Sequence, residues 1–334
     1  MQNTPLPPRH RTFMPHHHLL RWLLVICSLL AIGGGIYGWR AWHAAQATFS
    51  QTYRADGLKP TNTALTSGKP FAILLLGTDT GALGRHDVGR TDTMIVATIN
   101  PKTQTAKLTS IPRDTLVNIY GSQQDEEKIN AAYPLYGAKT TIKTVEHLVN
   151  IPINYYVLLN MGGLKKMINA VGGVSVDPLL TFHYEQANVV KGHKIHLNGA
   201  SALAYSRMRD QDPLGDYGRQ ARQRQIIKAL VLKEASISSL TRYQSVLDSL
   251  SSNLQTNLTF NDLMWLRAKD GHTSRHIKSQ TLQGENATLN GIDYQIAPQR
   301  EITKVSAGLR QALGLPTTPS FQTDAIDPLS LIHI

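Results

Sequence analysis

The stretch Phe71-Ala-Ile-Leu-Leu-Leu-Gly-Thr-Asp79 decides the fold class of this chain. Six apolar residues run without interruption, then come a glycine, a threonine and an acid. A strand with one face in water alternates apolar and polar residues. An unbroken apolar run of this length, bounded by turn residues, belongs to a strand covered on both faces. The same character returns at Thr93–Ile99, Thr105–Ile111 and Asn154–Leu159, as near-continuous apolar or β-branched runs. Helical periodicity is predicted at Thr140–Asn150, Met161–Val171, Gly199–Arg207 and Asp216–Ser236. Strands and helices alternating in this way predict an α/β domain, a central mixed sheet with helices on both faces. Ala170-Val-Gly-Gly-Val174 reads as a helix stop followed by a short strand. Further helices are expected beyond residue 237, with a short strand pair near Ile277–Leu282 and Tyr294–Ile296 and a helix over Arg300–Leu313. There is no internal repeat.

Outward from the first strand, the polar residues cluster where strands end. After Asp79 and a polar loop comes Gly89-Arg90-Thr91-Asp92-Thr93, which opens the next strand. Leu108-Thr-Ser-Ile-Pro-Arg113-Asp114-Thr115 delivers an arginine at the end of a third. In open α/β sheets, ligands bind in the crevice at the carboxyl ends of strands. Asp79 and Asp92 read singly as turn formers or caps. Flanking one loop beside Arg90, they read together as carboxylates able to share a hard cation, and one could act as a general base.

Downstream, Tyr205 to Gln223 reads YSRMRDQDPLGDYGRQARQ. Arg207, Arg209, Arg219 and Arg222 gather with Asp210, Asp212 and Asp216 about a Pro-Leu-Gly-Asp turn between two helical segments. Arginine keeps its charge when buried and grips phosphate oxygens in a bidentate fork. Arg207 and Arg209 diverge by about 200 degrees on a helix, so both face one cleft only where the helix unwinds. Arg219 and Arg222 share a face, and Gln223 lies one turn from Arg219. A helix N-terminus there adds its own attraction for phosphate. Asp216 reads as the cap of that helix, and Arg224 as a solvated surface residue. The competing reading makes these arginines surface ion pairs with the nearby aspartates. Lys128, in Lys128-Ile-Asn130, is a phosphate ligand or a surface lysine after Glu126-Glu127.

The motifs LGTD, GRTDT, SIPRDT, KIN, LNGASALAYSRMR and DPLGDYGRQARQ, in this order over about residues 70–315, resemble the LytR-CpsA-Psr family of bacterial cell-wall enzymes. The resemblance implies transfer of a glycopolymer, teichoic acid or capsule-like, from a polyprenyl-pyrophosphate carrier to a peptidoglycan hydroxyl, with formation of a phosphodiester. It implies a site in which Asp79, Asp92, Arg113 and Arg209 are catalytic and Arg90, Lys128, Arg207, Arg219, Arg222 and Gln223 bind substrate. It also implies that Asp79 and Asp92 hold Mg²⁺ or Mn²⁺. Asn160 and Asn169 stand where the family often shows aspartate and add nothing to that set. An apolar channel for the prenyl chain has candidates in Val145, Leu148, Leu164, Ile168, Ile227 and Leu230, although the same periodicity marks any core helix. Two other functions compete: hydrolysis of the same pyrophosphate, and a non-catalytic transcriptional regulator.

The chain has 334 residues, 41% hydrophobic and 17% charged, a composition suited to a globular domain with a membrane segment. Its single cysteine, Cys27, excludes a disulfide framework and a cysteine-rich metal site. The net charge of +11 and pI near 9.7 admit nucleic acid, an anionic membrane or an anionic wall polymer as partner. Trp22 to Trp39 carries no charge, nears bilayer length with Leu19 and Leu20, and has an aromatic residue at each end. That favours an uncleaved anchor over a cleaved signal peptide. Arg9, Arg11 and Arg21 precede it, so the N-terminus is expected in the cytoplasm. Roughly 18 cytoplasmic residues are too few for a DNA-binding module, which argues against nucleic acid. His16-His17-His18 reads as polar tail. The expected division is a cytoplasmic tail at 1–18, a transmembrane helix at 19–39, an extracytoplasmic stalk at 40–69, the catalytic domain at 70–318 and a tail at 319–334.

Overall fold

The computed structural model describes residues 16–56, 65, 67–80, 89–122, 126–234, 246, 253–269, 276–317 and 321. The chain divides into two units, residues 1–46 and 47–334. Helix α1 (His16–Ser50) is 35 residues long and carries the backbone through the Trp22–Trp39 run without a break. Residues 1–15 lie outside the described residues, as do the side chains of 16–27, 29 and 31 and the whole of 322–334. Among the described residues, no helix is long and apolar enough to cross a membrane.

The second unit is organised on six strands: β1 (Phe71–Thr78), β2 (Thr91–Asn100), β3 (Thr105–Ser110), β6 (Tyr155–Asn160), β11 (Leu254–Thr256) and β12 (Ile277–Thr281). Their spatial order is β11-β6-β1-β2-β3-β12. Strand β1 is parallel to β6 and antiparallel to β2; β3 is antiparallel to β2 and parallel to β12. One edge of the sheet therefore collects the carboxyl ends of β1, β3, β6 and β12 and the amino end of β2. The sheet is mixed, and both faces are covered. Ala72, Leu74, Leu76, Met94 and Val96 pack against helices α2 (Ala132–Val149) and α7 (Gln299–Ala312). The alternate residues Phe71, Ile73, Ile95, Ala97 and Leu108 meet α5 (Gly215–Glu234) and α6 (Phe260–Lys269) through Ile227, Trp265 and Leu266. Period-2 alternation thus persists inside the unbroken apolar run, with both sets buried.

Two helices, α3 (Met161–Ala170) and α4 (Gly199–Arg207), follow β6. They pack so closely that a Cβ at Gly199 would strike the Lys165 carbonyl. Asn160 caps α3 by accepting from Gly163 N, and Asn169 accepts from Gly199 N at 2.7 Å. Both asparagines therefore hold the fold. Small antiparallel pairs complete the unit: β4 (Leu116–Val117) with β5 (Glu127–Lys128), β7 (Val174–Val176) with β10 (Ile195–Leu197), β8 (Phe182–Tyr184) with β9 (Ala187–Val189), and β13 (Glu285–Leu289) with β14 (Ile292–Ile296).

Two expectations need correction. The segments at Ile277 and Tyr294 do not pair with each other: β12 extends the main sheet beside β3, and β14 pairs with β13. The folded unit starts at Ala47, ahead of Phe71, so part of the expected stalk is folded. Phe49 is buried against Phe260 with ring centroids 6.2 Å apart. Residues 52–54 hydrogen-bond to Thr256 on β11, Arg54 N donating to its carbonyl at 2.8 Å. This backbone pairing leaves no mark in a segment rich in alanine, glutamine and threonine.

Candidate active site

The sheet edge holds most of the expected site. Asp79 follows the last residue of β1, and Asp92 is the second residue of β2. The ends of the loop between them come together, since a Cβ on Gly89, at φ +61, would lie 2.6 Å from Asp79 Oδ1. Residues 81–88 lie outside the described residues. Arg90 is exposed at the rim. From the end of β3, Arg113 turns back and donates from Nη1 to Asp92 Oδ1 at 2.8 Å. Its Nε stands 3.4 Å from Asp114 Oδ2, and Asp114 also holds Lys128 Nζ at 3.1 Å. Lys128 lies over the Tyr294 ring, 5.5 Å from its centroid.

Helix α5 supplies the opposing wall. Arg219 in its second turn is buried and ion-paired with Asp216 in its first. Burial pulls the Arg219 guanidinium below its ordinary value; Asp216 and Asp92 oppose the drop, and Arg113 and Arg209 deepen it. Burial also lowers Arg113, but Asp92, Asp114 and Asp216 outweigh it, and its net shift is upward. Arg219 feels Asp216, Arg113, Asp92 and Arg209, and Arg113 feels Asp92, Asp114 and Asp216, so these groups occupy one electrostatic neighbourhood. Arg113 Nε, Arg219 Nε and Nη2 and Asp216 Oδ1 are buried without an aligned hydrogen bond, despite their ionic contacts. Buried polar atoms are normally satisfied, and a concentration of such atoms at one place calls for a partner such as water, an ion or a ligand. Arg209 lies on the loop before α5, half exposed, and among the described residues its one ion pair is a 3.4 Å contact with the exposed Asp210. Gln223 is half-buried one turn beyond Arg219.

Three arginines fall elsewhere. Arg222, expected to bind substrate, is a structural residue: 2% exposed, ion-paired with Asp212, and donating to the carbonyls of Tyr205 and Met208. Its guanidinium also stacks over Phe182. Each of its three nitrogens is already engaged, because helical spacing turns it toward α4. Arg207 is engaged by both oxygens of Glu185, at 2.9 and 3.2 Å, in the turn between β8 and β9. Arg224, expected in solvent, points inward to Ser110 and Thr281.

Two residues outside the expected catalytic and substrate-binding set join the site here. Asp216, read as a cap, is the partner of Arg219 and accepts from Gln220 Nε2 at 2.7 Å. Asn130 is buried, its N–H donating to the Arg113 carbonyl at 3.2 Å, while its Oδ1 has no hydrogen-bond partner among the described residues. The KIN motif was the available signal for Asn130, and the three-residue spacing to Arg219 for Asp216. Of the channel candidates, Val145, Leu148 and Ile168 are fully buried. Val145 and Leu148 belong to the core beneath α7.

The chain matches the model of the LytR_cpsA_psr family over residues 40–311. It belongs to the LytR-CpsA-Psr family. Among its relatives is the polyisoprenyl-teichoic acid–peptidoglycan teichoic acid transferase TagU of Enterococcus faecalis, 40% identical over 291 residues, 87% of this chain and 94% of that one. Solved structures superpose on it. Protein gbs0355 of Streptococcus agalactiae does so with a TM-score of 0.74 at 36% identity, covering 82% of this chain and 98% of that one. TagT bound to LIIa-WTA does so with a TM-score of 0.63 at 29% identity, covering 78% and 95%.

A divalent cation finds a compatible donor set at this edge. Mg²⁺ takes one or two carboxylates and keeps several waters. Asp79 and Asp92 present hard oxygens from adjacent strand ends, and Arg113 occupies only one oxygen of Asp92. Among the described residues, no group of three or more His, Cys, Asp or Glu stands together to form a metal cage, so substrate oxygens and water would fill the remaining positions.

Proposed function

We propose that this protein is a membrane-anchored phosphotransferase that moves an anionic glycopolymer from a polyprenyl-pyrophosphate carrier to a peptidoglycan hydroxyl. The observation that carries this reading is the convergence of Arg113, Arg209 and Arg219 with Asp92 and Asp216 at the sheet edge, with buried donors left unsatisfied. The names of the relatives, teichoic acid transferases, give the substrate class. The TagT complex supports a glycopolymer at this fold.

In the proposed reaction Arg113, Arg209 and Arg219 grip the pyrophosphate, with Arg90 and Lys128 at the rim. The N-terminus of α5 adds its positive end. The acceptor hydroxyl oxygen bonds to the polymer-side phosphorus, the phosphoanhydride P–O bond breaks, and polyprenyl monophosphate leaves with the electron pair. The hydroxyl proton passes to the Asp79–Asp92 pair. Mg²⁺ or Mn²⁺ held by those aspartates would offset the charge that builds on the phosphoryl oxygens. Positioning and charge stabilisation suffice, since phosphoryl transfer needs little covalent chemistry from the protein.

The anchor reading places residues 19–39 in the membrane, 1–18 in the cytoplasm and the catalytic domain outside, facing the wall. The decisive assay incubates the purified protein with lipid-linked polymer and peptidoglycan and analyses the products. Polymer joined to glycan by a phosphodiester supports transfer; a free sugar-phosphate end in the presence of acceptor means hydrolysis and defeats the reading. A reporter fused to residue 334 tests topology, and a cytoplasmic C-terminus would restore the regulator.

A further inference from the structure

Tyr217 follows Asp216 in the first turn of α5 and stands outside the set of arginines and aspartates at the sheet edge. Its half-buried hydroxyl is held from two sides. It donates to Gln295 Oε1 at 2.6 Å and accepts from Gly284 N at 2.8 Å, with the Gly284 carbonyl 3.1 Å away. Burial raises the phenol above its ordinary value, the bond to Gly284 opposes, and Asp216 adds to the rise. The group is therefore a neutral donor throughout the neutral pH range.

Gln295, on β14, also holds the opposite wall. Its N–H donates to the Asp114 carbonyl at 2.8 Å, and the residue bridges Thr115 in parallel register. Its Nε2 donates to Asn286 Oδ1 across the hairpin, which fixes the amide with its oxygen toward Tyr217. Gly284 leaves room for that amide, since a Cβ there would lie 3.1 Å from Gln295 Oε1. One residue thus joins both sides of the edge. Its backbone binds the segment that carries Arg113 and Asp114, and its side chain binds the end of α5 that carries Asp216 and Arg219. Across the gap Arg113 and Arg219 repel each other, while Asp216 draws Arg113. An incoming anion changes that balance, so charge alone gives the gap no fixed width. Neutral hydrogen bonds between the walls do.

We propose that Tyr217 and Gln295 are positioning residues, whose hydrogen bond is a strut that holds the Arg113 and Arg219 walls at the spacing a diphosphate bridges. This deepens the phosphotransferase reading and rests on it. A diphosphate touching both walls meets donors already in place, and such preorganisation shows in affinity. A monophosphate gripped by one wall gains nothing from the strut.

The test compares farnesyl diphosphate with farnesyl monophosphate by calorimetric titration of the full-length protein in detergent. The two ligands share the prenyl chain, so their affinity ratio isolates the second phosphate. The wild type should favour the diphosphate. Tyr217→Phe and Gln295→Leu should each weaken the diphosphate about 10-fold, the upper range for one neutral hydrogen bond, and the monophosphate less than about 2-fold. The double variant should be no worse than the weaker-binding single, because both remove the same bond. Gln295→Glu, which keeps an acceptor for the phenol, should retain the wild-type ratio, and Gly284→Ala should lower it. A purely structural role predicts a lower melting temperature with the ratio unchanged, and that result overturns the proposal. Equal affinity of the wild type for both ligands also overturns it, because no diphosphate then bridges the walls. Should Tyr217→Phe not fold, Gln295→Leu and Gly284→Ala decide by the same ratio. A wild type that favours the diphosphate yet transfers no polymer defeats the phosphotransferase reading and leaves the strut in place.

Discussion

Replacing Asp212 by alanine removes the counter-charge of a buried guanidinium. Arg222 is 2% exposed and the Asp212 side chain 8%. The guanidinium also bonds the carbonyls of Tyr205, at 3.1 Å, and Met208. Asp212 itself turns the next loop by accepting from Leu214 N at 2.9 Å. Stripping one partner from a buried pair costs about 3–5 kcal/mol, because the remaining charge is stranded away from water. An exposed pair is worth about 0–1 kcal/mol. Asp210→Ala, which removes the 81%-exposed partner of Arg209, is therefore the control. Urea unfolding should separate the two variants by several kcal/mol. Because Met208 and Leu214 bracket Arg209, Asp212→Ala should also lower activity by loosening that loop. Gly218→Ala should act in the same direction, since its Cβ would collide with the Asp212 carboxylate. The double variant Asp212→Leu/Arg222→Met should recover most of the lost stability, because an apolar pair of similar volume needs no desolvated charge. A loss below ~1 kcal/mol for Asp212→Ala, or a double variant no better than the single, would refute the reasoning.

Arg209→Ala should leave the melting temperature of the free protein unchanged or raised, since it relieves repulsion with Arg219, and should abolish the shift given by a polyprenyl pyrophosphate. A lower melting point with the shift retained would make Arg209 structural. Arg113→Lys and Arg219→Lys should each lose ~100-fold or more in kcat/KM, because lysine lacks the planar fork; near-wild-type rates would rule out the clamp. Asp79→Ala and Asp92→Ala should remove metal-dependent turnover while circular dichroism stays unchanged, and full activity in excess chelator would count against the cation. Tyr205, buried and donating to Gln225 at 2.5 Å, has its phenol pushed up to about 12, chiefly by burial, with Arg222 and a backbone bond to Leu179 opposing and Asp177 adding. Its folded value exceeds the unfolded one, so the stability it contributes is complete below pH ~10 and lost as pH rises through about 12, about 2–3 kcal/mol in all. Tyr205→Phe should flatten that part of the stability–pH curve, and an unchanged slope would contradict the assignment.

The strands and helices were legible in the sequence because their signals are local. The unbroken run from Phe71 read as a strand covered on both faces, and Gly199–Arg207 read as a helix that is found with those bounds. The motif order was equally legible, and it carried the family. Burial and long-range pairing lay beyond such signals. Nothing near Ile277 told that β12 would lie beside β3, since strand pairing joins residues far apart in the chain. The three arginines Arg219, Arg222 and Arg224 show the same limit within five residues of one helix. All carry the same charge and were separable in sequence only by their angle about the helix axis. The fold turned Arg219 to the sheet edge, closed Arg222 onto Asp212 and α4, and placed Arg224 between helix and sheet. The local code specifies that a cation is present and at what angle it leaves its helix. What that cation meets depends on which distant strand or loop packs there, and only the tertiary structure decided it.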